Sequence, residues 1–193
     1  MNRYKHDLGQ KLTTDVNSKG VDRGFPAHIN FGLPATKDIT AILASTALTT
    51  ETQTITEGIN DPDVPRSLRV KGNASGITGD VIINGTNIND DAISETLTLD
   101  GTTEVQGDKA FKSITSIELP VQNASGDEVS VGTDNKLGLP YKLELNTVLK
   151  AYRDKIPEST APTVTVDSAN IENNTVLLDS ALNGTTVDVL MIV

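Results

Sequence analysis

The search for chemistry starts with histidine, and the chain has two, His6 and His28. A hydroxyl nucleophile would need one of them held rigidly at its side. Both fall in or near a polar first stretch with no apolar period, a poor place to fix a catalytic base. There is no cysteine, which removes thiolate metal sites and disulfides. The carboxylates are the remaining candidates. Asn87-Ile88-Asn89-Asp90-Asp91 has the oxygen density of a calcium loop. Read as an EF-hand loop from Asn87, its sixth position is Ala92 rather than glycine and its twelfth is Thr98 rather than glutamate. The match fails; a solvated hairpin loop accounts for the stretch, with weak cation binding as the residual reading. Asp61 and Asp63 flank Pro62 and read as connector charges rather than an acid pair. No G-x-S-x-G, H-E-x-x-H, P-loop or G-x-G-x-x-G motif occurs. Paired glycosidase carboxylates would want aromatic sugar platforms, and aromatics are 3% of the chain with no tryptophan. The expectation is a protein that is not an enzyme and uses no cofactor or metal.

The elements that would position any site read as strands. From Arg66 onward, Leu68 and Val70 alternate with Arg69 and Lys71, and Gly72 to Gly76 form a turn. Val81-Ile82-Ile83 is expected to end in a tight turn at Asn84-Gly85. Ile93, Leu97 and Leu99 share a face, and Asp100-Gly101 closes that strand. Further strands are expected over residues 111–119, from Val129, over 137–145 and 147–152, at 163–166 and 175–178, and from 186 to the end. In the last of these Val187, Val189, Met191 and Val193 line one face, and the final four residues are apolar on both. Such a strand is integral to the subunit's own core or lies between subunits. Residues 39–50 fit a helix or a strand, residues 52–59 a strand, and Asp61-Pro62-Asp63-Val64-Pro65 a stiff connector. Many short strands with Gly-containing turns predict an all-β protein, an antiparallel β-sandwich or barrel-like domain with an extended N-terminal arm. The 25 threonines suit half-exposed strand faces better than helix interiors. The expected organisation is an arm over residues 1–28, a linker or small lobe over 29–65, and the sandwich over 66–193.

Charge constrains the partners. The net charge is −10, but residues 1–23 hold five basic and three acidic residues, leaving −12 on the rest. An acidic chain without a basic cluster argues against direct nucleic-acid binding. No stretch is apolar enough for a membrane span and no signal-peptide pattern opens the chain, so assembly inside the cell without export is expected.

Several segments together resemble a family of phage and prophage structural proteins often encoded near the major capsid protein. They include Asp61-Pro62-Asp63-Val64-Pro65-Arg66, Val70-Lys71-Gly72-Asn73-Ala74, Gly76-Ile77-Thr78-Gly79-Asp80-Val81 and Ala110-Phe111-Lys112-Ser113-Ile114. Gly138-Leu139-Pro140-Tyr141, Asn146-Thr147-Val148-Leu149 and Leu182-Asn183-Gly184-Thr185 extend the similarity over most of the chain after about residue 40. The resemblance implies a virion component: a head decoration (cement) protein on the capsid exterior, assembled in the host cytoplasm, with the major capsid protein as partner and a homotrimer as its state. In that role Arg3, Lys5, Lys11 and Arg23 would steer the arm onto the capsid electrostatically, and Tyr4 and Phe25 would anchor it. The alternatives are a tail-tube or neck protein of the virion and, from another class, a host-surface or carbohydrate-binding module.

Overall fold

The computed structural model describes residues 25–193, together with the backbone pairing of β1 (Leu12–Thr13) with β2 (Gly20–Val21). Strands account for all the named elements of the described residues except one turn of 3-10 helix at Ile171–Asn173, and every pairing is antiparallel. No described helix is long and apolar enough to cross a membrane.

The all-β, antiparallel expectation holds, and the strands gather in two lobes, each about its own hydrophobic core. In the first lobe, one sheet runs β5 (Gln53–Ile55), β10 (Ser113–Leu119), β7 (Thr78–Thr86), β8 (Ala92–Asp100). Facing it are β4 (Leu43–Ala47), β11 (Glu128–Gly138), β6 (Arg66–Gly72) and β9 (Val105–Gln106). Ile42, Leu68, Val70, Val81, Ile83, Phe111, Ile117 and Val131 are fully buried between them. Each such side chain contributes roughly 1.5–3 kcal/mol by leaving water. In the second lobe, one sheet runs β13 (Ile156–Pro157), β12 (Val148–Arg153), β16 (Val187–Ile192), β3 (Pro26–Asn30). It packs on the far end of β11 with β15 (Thr175–Leu177) and β14 (Thr163–Thr165), burying Leu137, Leu139, Val176, Val189 and Met191. Strand β11 supplies both cores, Val129 and Val131 to one and Leu137 to the other.

The expected boundaries at 28 and 65 therefore both move. Residue 28 lies inside β3, whose partner is the C-terminal strand, so the arm can extend no further than about residue 24. Within the stretch expected to be a linker or small lobe, Leu43–Ala47 and Gln53–Ile55 are strands of the first lobe. Of the ambiguous stretch 39–50, Leu43–Ala47 resolves as strand β4. The C-terminal strand is integral to its own lobe: it sits between β12 and β3 with Val187, Val189 and Met191 turned inward.

Two turn and strand expectations fail for packing reasons. Asn84-Gly85 is not a turn; β7 continues through it to Thr86. Gly85 is there for close approach, since a Cβ would stand 2.0 Å from the Ser113 carbonyl oxygen and 3.0 Å from Phe111. The chain reverses later, where the Asn87 Oδ1 accepts from the Asn89 N–H at 2.9 Å and the Asp91 N–H at 3.1 Å. Asp90 takes a left-handed φ of 66° there. The apolar run over 137–145 is not a strand beyond Gly138. Pro140 has no N–H for a ladder, and the Leu143 N–H goes to the Asn174 side chain at 3.1 Å. Leu139 and Leu143 are buried as anchors of the second core, so their spacing reports burial rather than strand.

Candidate functional site

The most heavily built polar feature lies where the lobes join. Alternation along β6 sends Leu68 and Val70 into the first core and turns Arg69 to the other face. Arg69 is nonetheless 1% exposed and Arg66 0% exposed. The cause lies in β11. Between the pairs Leu68–Thr133 and Arg66–Leu137, β11 advances four residues while β6 advances two, so Asp134-Asn135-Lys136 bulges out of the ladder. The bulge carries Asp134 to both arginines. Its backbone carbonyl accepts from Arg66 Nε at 2.5 Å, and its carboxylate pairs with Arg69 Nη2. Arg66 Nη1 also donates to Asp63 Oδ1 at 2.9 Å and to the Ala35 carbonyl at 3.1 Å, while Arg69 Nη1 pairs with Glu104. Lys37 Nζ lies 3.6 Å from Glu104.

This network floors an open cleft of about 690 Å³ lined by residues 35–39, Arg69, Glu104, Asn183 and Gly184. The Gly184 N–H reaches across to the Pro34 carbonyl at 3.0 Å. Both guanidinium groups are committed to carboxylates and carbonyls. The arrangement is an ionic lock between segments distant in sequence, and its chemistry is structural.

The carboxylates singled out from the sequence are also tied into the fold. Asp61 accepts from the Ile114 N–H at 2.8 Å, and Asp63 from the Ala35 N–H at 2.6 Å as well as from Arg66. They hold the connector against two different segments and do not form an acid pair. In the Asn87–Asp91 loop, Asn87 is 2% exposed with its Oδ1 already used by the turn, and Asp90 pairs with Lys112 at 2.7 Å. Among the described residues no group of three or more histidine, cysteine, aspartate or glutamate side chains is disposed to hold a metal ion.

Of the residues expected to contact a partner, Arg3, Tyr4, Lys5, Lys11 and Arg23 lie outside the described residues. Phe25 is described and is 70% exposed where the chain enters β3, its backbone paired with Val193 at 2.7 and 2.9 Å. His28, on β3, hydrogen-bonds through Nε2 to Asp188 Oδ1 of the neighbouring strand at 2.8 Å.

Sequence reasoning missed Glu95, which shares the inward face of β8 with Leu97. Burial pushes its carboxyl above the usual carboxylate range, against two backbone N–H donors, Asp108 at 2.6 Å and Lys109 at 3.2 Å, and with some help from the Asp108 charge. A raised folded-state value means that the protonated form is favoured by folding. The stabilisation is complete below the ordinary glutamate range and is lost as pH rises through the raised value. Glu95→Gln keeps an acceptor for both N–H groups and removes the buried charge. The variant is expected to melt higher than the parent at pH 8, with the gain disappearing in thermal scans near pH 4. Equal gains at both pH values would remove the charge from the explanation. Asp167 has the opposite sign. The Asn173 side chain, the Ala169 and Asn170 N–H groups and the Asn170 side chain hold its carboxyl far below the usual range. Its contribution is present above that range and is lost on acidification.

Fold and site together define an all-β protein of two antiparallel lobes sharing a strand and locked by buried ion pairs. No protein-family model matches the chain, and neither does any curated protein or solved structure.

Proposed function

We propose that the protein is a capsid decoration (cement) protein that binds the outer surface of a tailed-phage head and stabilises it by bridging capsid subunits. The work is mechanical and no reaction is assigned. The observation that carries this reading is the partition of charge about the point where the chain enters the fold. The body from residue 24 onward carries −12, while residues 1–23 carry +2 and lead into an edge strand beside exposed Phe25. An acidic body suits a position facing solvent rather than packaged DNA, and a basic segment delivered at a sheet edge suits a contact laid across a neighbouring surface. The sequence resemblance to virion proteins encoded near the major capsid protein supports the same partner. Many shared copies would let modest contacts accumulate.

The test is cryo-electron microscopy of virions, or of capsids reconstituted with the full chain, alongside a variant lacking residues 1–23. Deletion must stop there, because removing residues 26–28 would strip part of β3 from β16. The expected result is density on the outer head surface, with the truncated protein folded but bound far more weakly, by roughly a hundredfold if about 3 kcal/mol of contact is lost. Density in the tail or neck would replace this reading with that of a tail-tube or neck protein. Absence from the particle, together with retention on cell-wall polymers, would favour a host-surface module.

A further inference from the structure

Asn-Gly occurs twice in the chain, at Asn84-Gly85 and at Asn183-Gly184. The dipeptide carries chemistry of its own. Glycine has no Cβ to shield its nitrogen, which can therefore approach the preceding side-chain amide. The fold gives the two copies opposite surroundings. Gly85 is paired with Ile93 on one side and Ile114 on the other, inside a four-stranded sheet. The Asn84 amide donates to Ser116 Oγ at 3.2 Å and to Glu118 Oε1 at 3.4 Å. Folding the Asn84 side chain back onto the Gly85 nitrogen would mean breaking those bonds and leaving the sheet. Asn183-Gly184 instead lies in the exposed loop before β16. Gly184 takes a φ of 78°, and nothing stands within 4 Å of where its Cβ would be. Asn183 Oδ1 accepts from the Thr185 hydroxyl at 2.6 Å and from the Thr185 N–H at 3.3 Å. The Gly184 N–H is bonded to the Pro34 carbonyl at 3.0 Å, beside an open cleft from which water can take that carbonyl's place.

We propose that Asn183 is a modification site, the place where the folded chain deamidates spontaneously, and that Asn84 is protected. Once water displaces the Pro34 carbonyl, base removes the Gly184 amide proton and the nitrogen attacks Asn183 Cγ from within the same loop. The nitrogen's electron pair forms the new N–Cγ bond, and the Cγ–Oδ1 π pair moves onto Oδ1. Both Thr185 donors already point at that oxygen, so the charge developing there meets hydrogen bonds that are in place. Collapse breaks the Cγ–Nδ2 bond, and the leaving nitrogen takes a proton from water and departs as ammonia. A cyclic imide remains. Water opens it at either carbonyl, to aspartate or to isoaspartate. The sequence consumes a water, releases ammonia and needs no oxidant or reductant. Either product sets a new carboxylate on a cleft that Asp38 and Glu104 also line. Isoaspartate further adds a methylene to the main chain, which moves the Gly184 N–H off the Pro34 carbonyl and loosens this loop from residues 32–34. The inference does not rest on the capsid reading.

The experiment ages the full chain at mildly alkaline pH and follows it by anion exchange and by mass spectrometry of tryptic digests. The two sites fall in separate tryptic peptides, residues 72–109 and 156–193, and fragmentation locates the change within each. The expected result is conversion at Asn183 faster than at Asn84 by about tenfold or more, with the two rates drawing together when the chain is unfolded in guanidinium chloride. Thr185→Val removes the hydroxyl donor and keeps the backbone one, so it should slow the conversion. Asn183→Gln should lose the acidic species that the parent accumulates. An Asn183 that stays intact in the folded chain while the unfolded chain converts overturns the proposal, as does folded-state conversion at Asn84 matching that at Asn183. An unchanged rate in Thr185→Val overturns the part given to its hydroxyl.

Discussion

Asp134→Ala is expected to lower the unfolding free energy by about 3–5 kcal/mol, the cost of leaving a buried charge without its partner. Asp134 is 3% exposed and its carboxylate faces Arg69, which is 1% exposed. After the substitution Arg69 retains only Glu104, a residue 37% exposed and open to water on one side. The Asn135 N–H also loses its 2.7 Å acceptor on Asp134. The network is already under-satisfied: Arg66 Nη2, Arg69 Nε and Asp134 Oδ2 are buried without a protein partner. Removing a further partner therefore adds to a cost already present. Arg69→Met should fall by a similar amount, because it strands the aspartate instead. The double variant Arg69→Met with Asp134→Leu should lose much less than the sum, since an apolar pair incurs neither desolvation cost. Urea titrations of the three variants, with unchanged slopes, check this. Single losses below about 1 kcal/mol would show that solvent replaces the lock at little cost.

Asn174→Ala is expected to cost about 3–5 kcal/mol, from several buried polar groups that lose their partner at roughly 1–3 kcal/mol each. Asn174 is 0% exposed, and its amide is almost fully used. Oδ1 accepts from the Leu143 N–H at 3.1 Å and the Asp167 N–H at 2.8 Å. Nδ2 donates to the carbonyls of Asp167 at 2.7 Å and Asn170 at 2.8 Å. One side chain thus stitches the irregular segment after β11 to the loop before β15 and closes the end of the second core. Hydrogen exchange should report the loss locally, at the Leu143 and Asp167 amides, before the first lobe opens. Asn174→Asp separates hydrogen bonding from volume. It keeps both acceptor contacts but turns its second oxygen onto two carbonyl oxygens, so it should be destabilised at pH 7 and recover in acid, where a protonated carboxyl regains a donor. Full exchange protection in Asn174→Ala would mean that the segment is held by Leu139 and Leu143 burial alone.

Local sequence determined what local physics governs. The period-two runs at Leu97 and Leu99, and at Val187, Val189 and Met191, fix strands and their inward faces, because a strand's side chains alternate whatever it packs on. The turn at Gly101 was legible because it takes a left-handed φ of 57° that glycine adopts without strain. Absence of Cys and scarcity of aromatics also narrowed the candidate chemistry. Tertiary structure decided the rest. Asn84-Gly85 has turn chemistry, yet the approach of Ser113 and Phe111 keeps it in a strand. Arg69 has the pattern of a solvent-facing residue, yet a bulge 65 positions away brings a carboxylate that permits its burial. Asn174 and Glu95 carry no signal in their neighbours, because their partners lie up to 31 and 14 positions distant. Periodicity records which way a side chain points; what it meets there is set by chain segments that only the fold brings together.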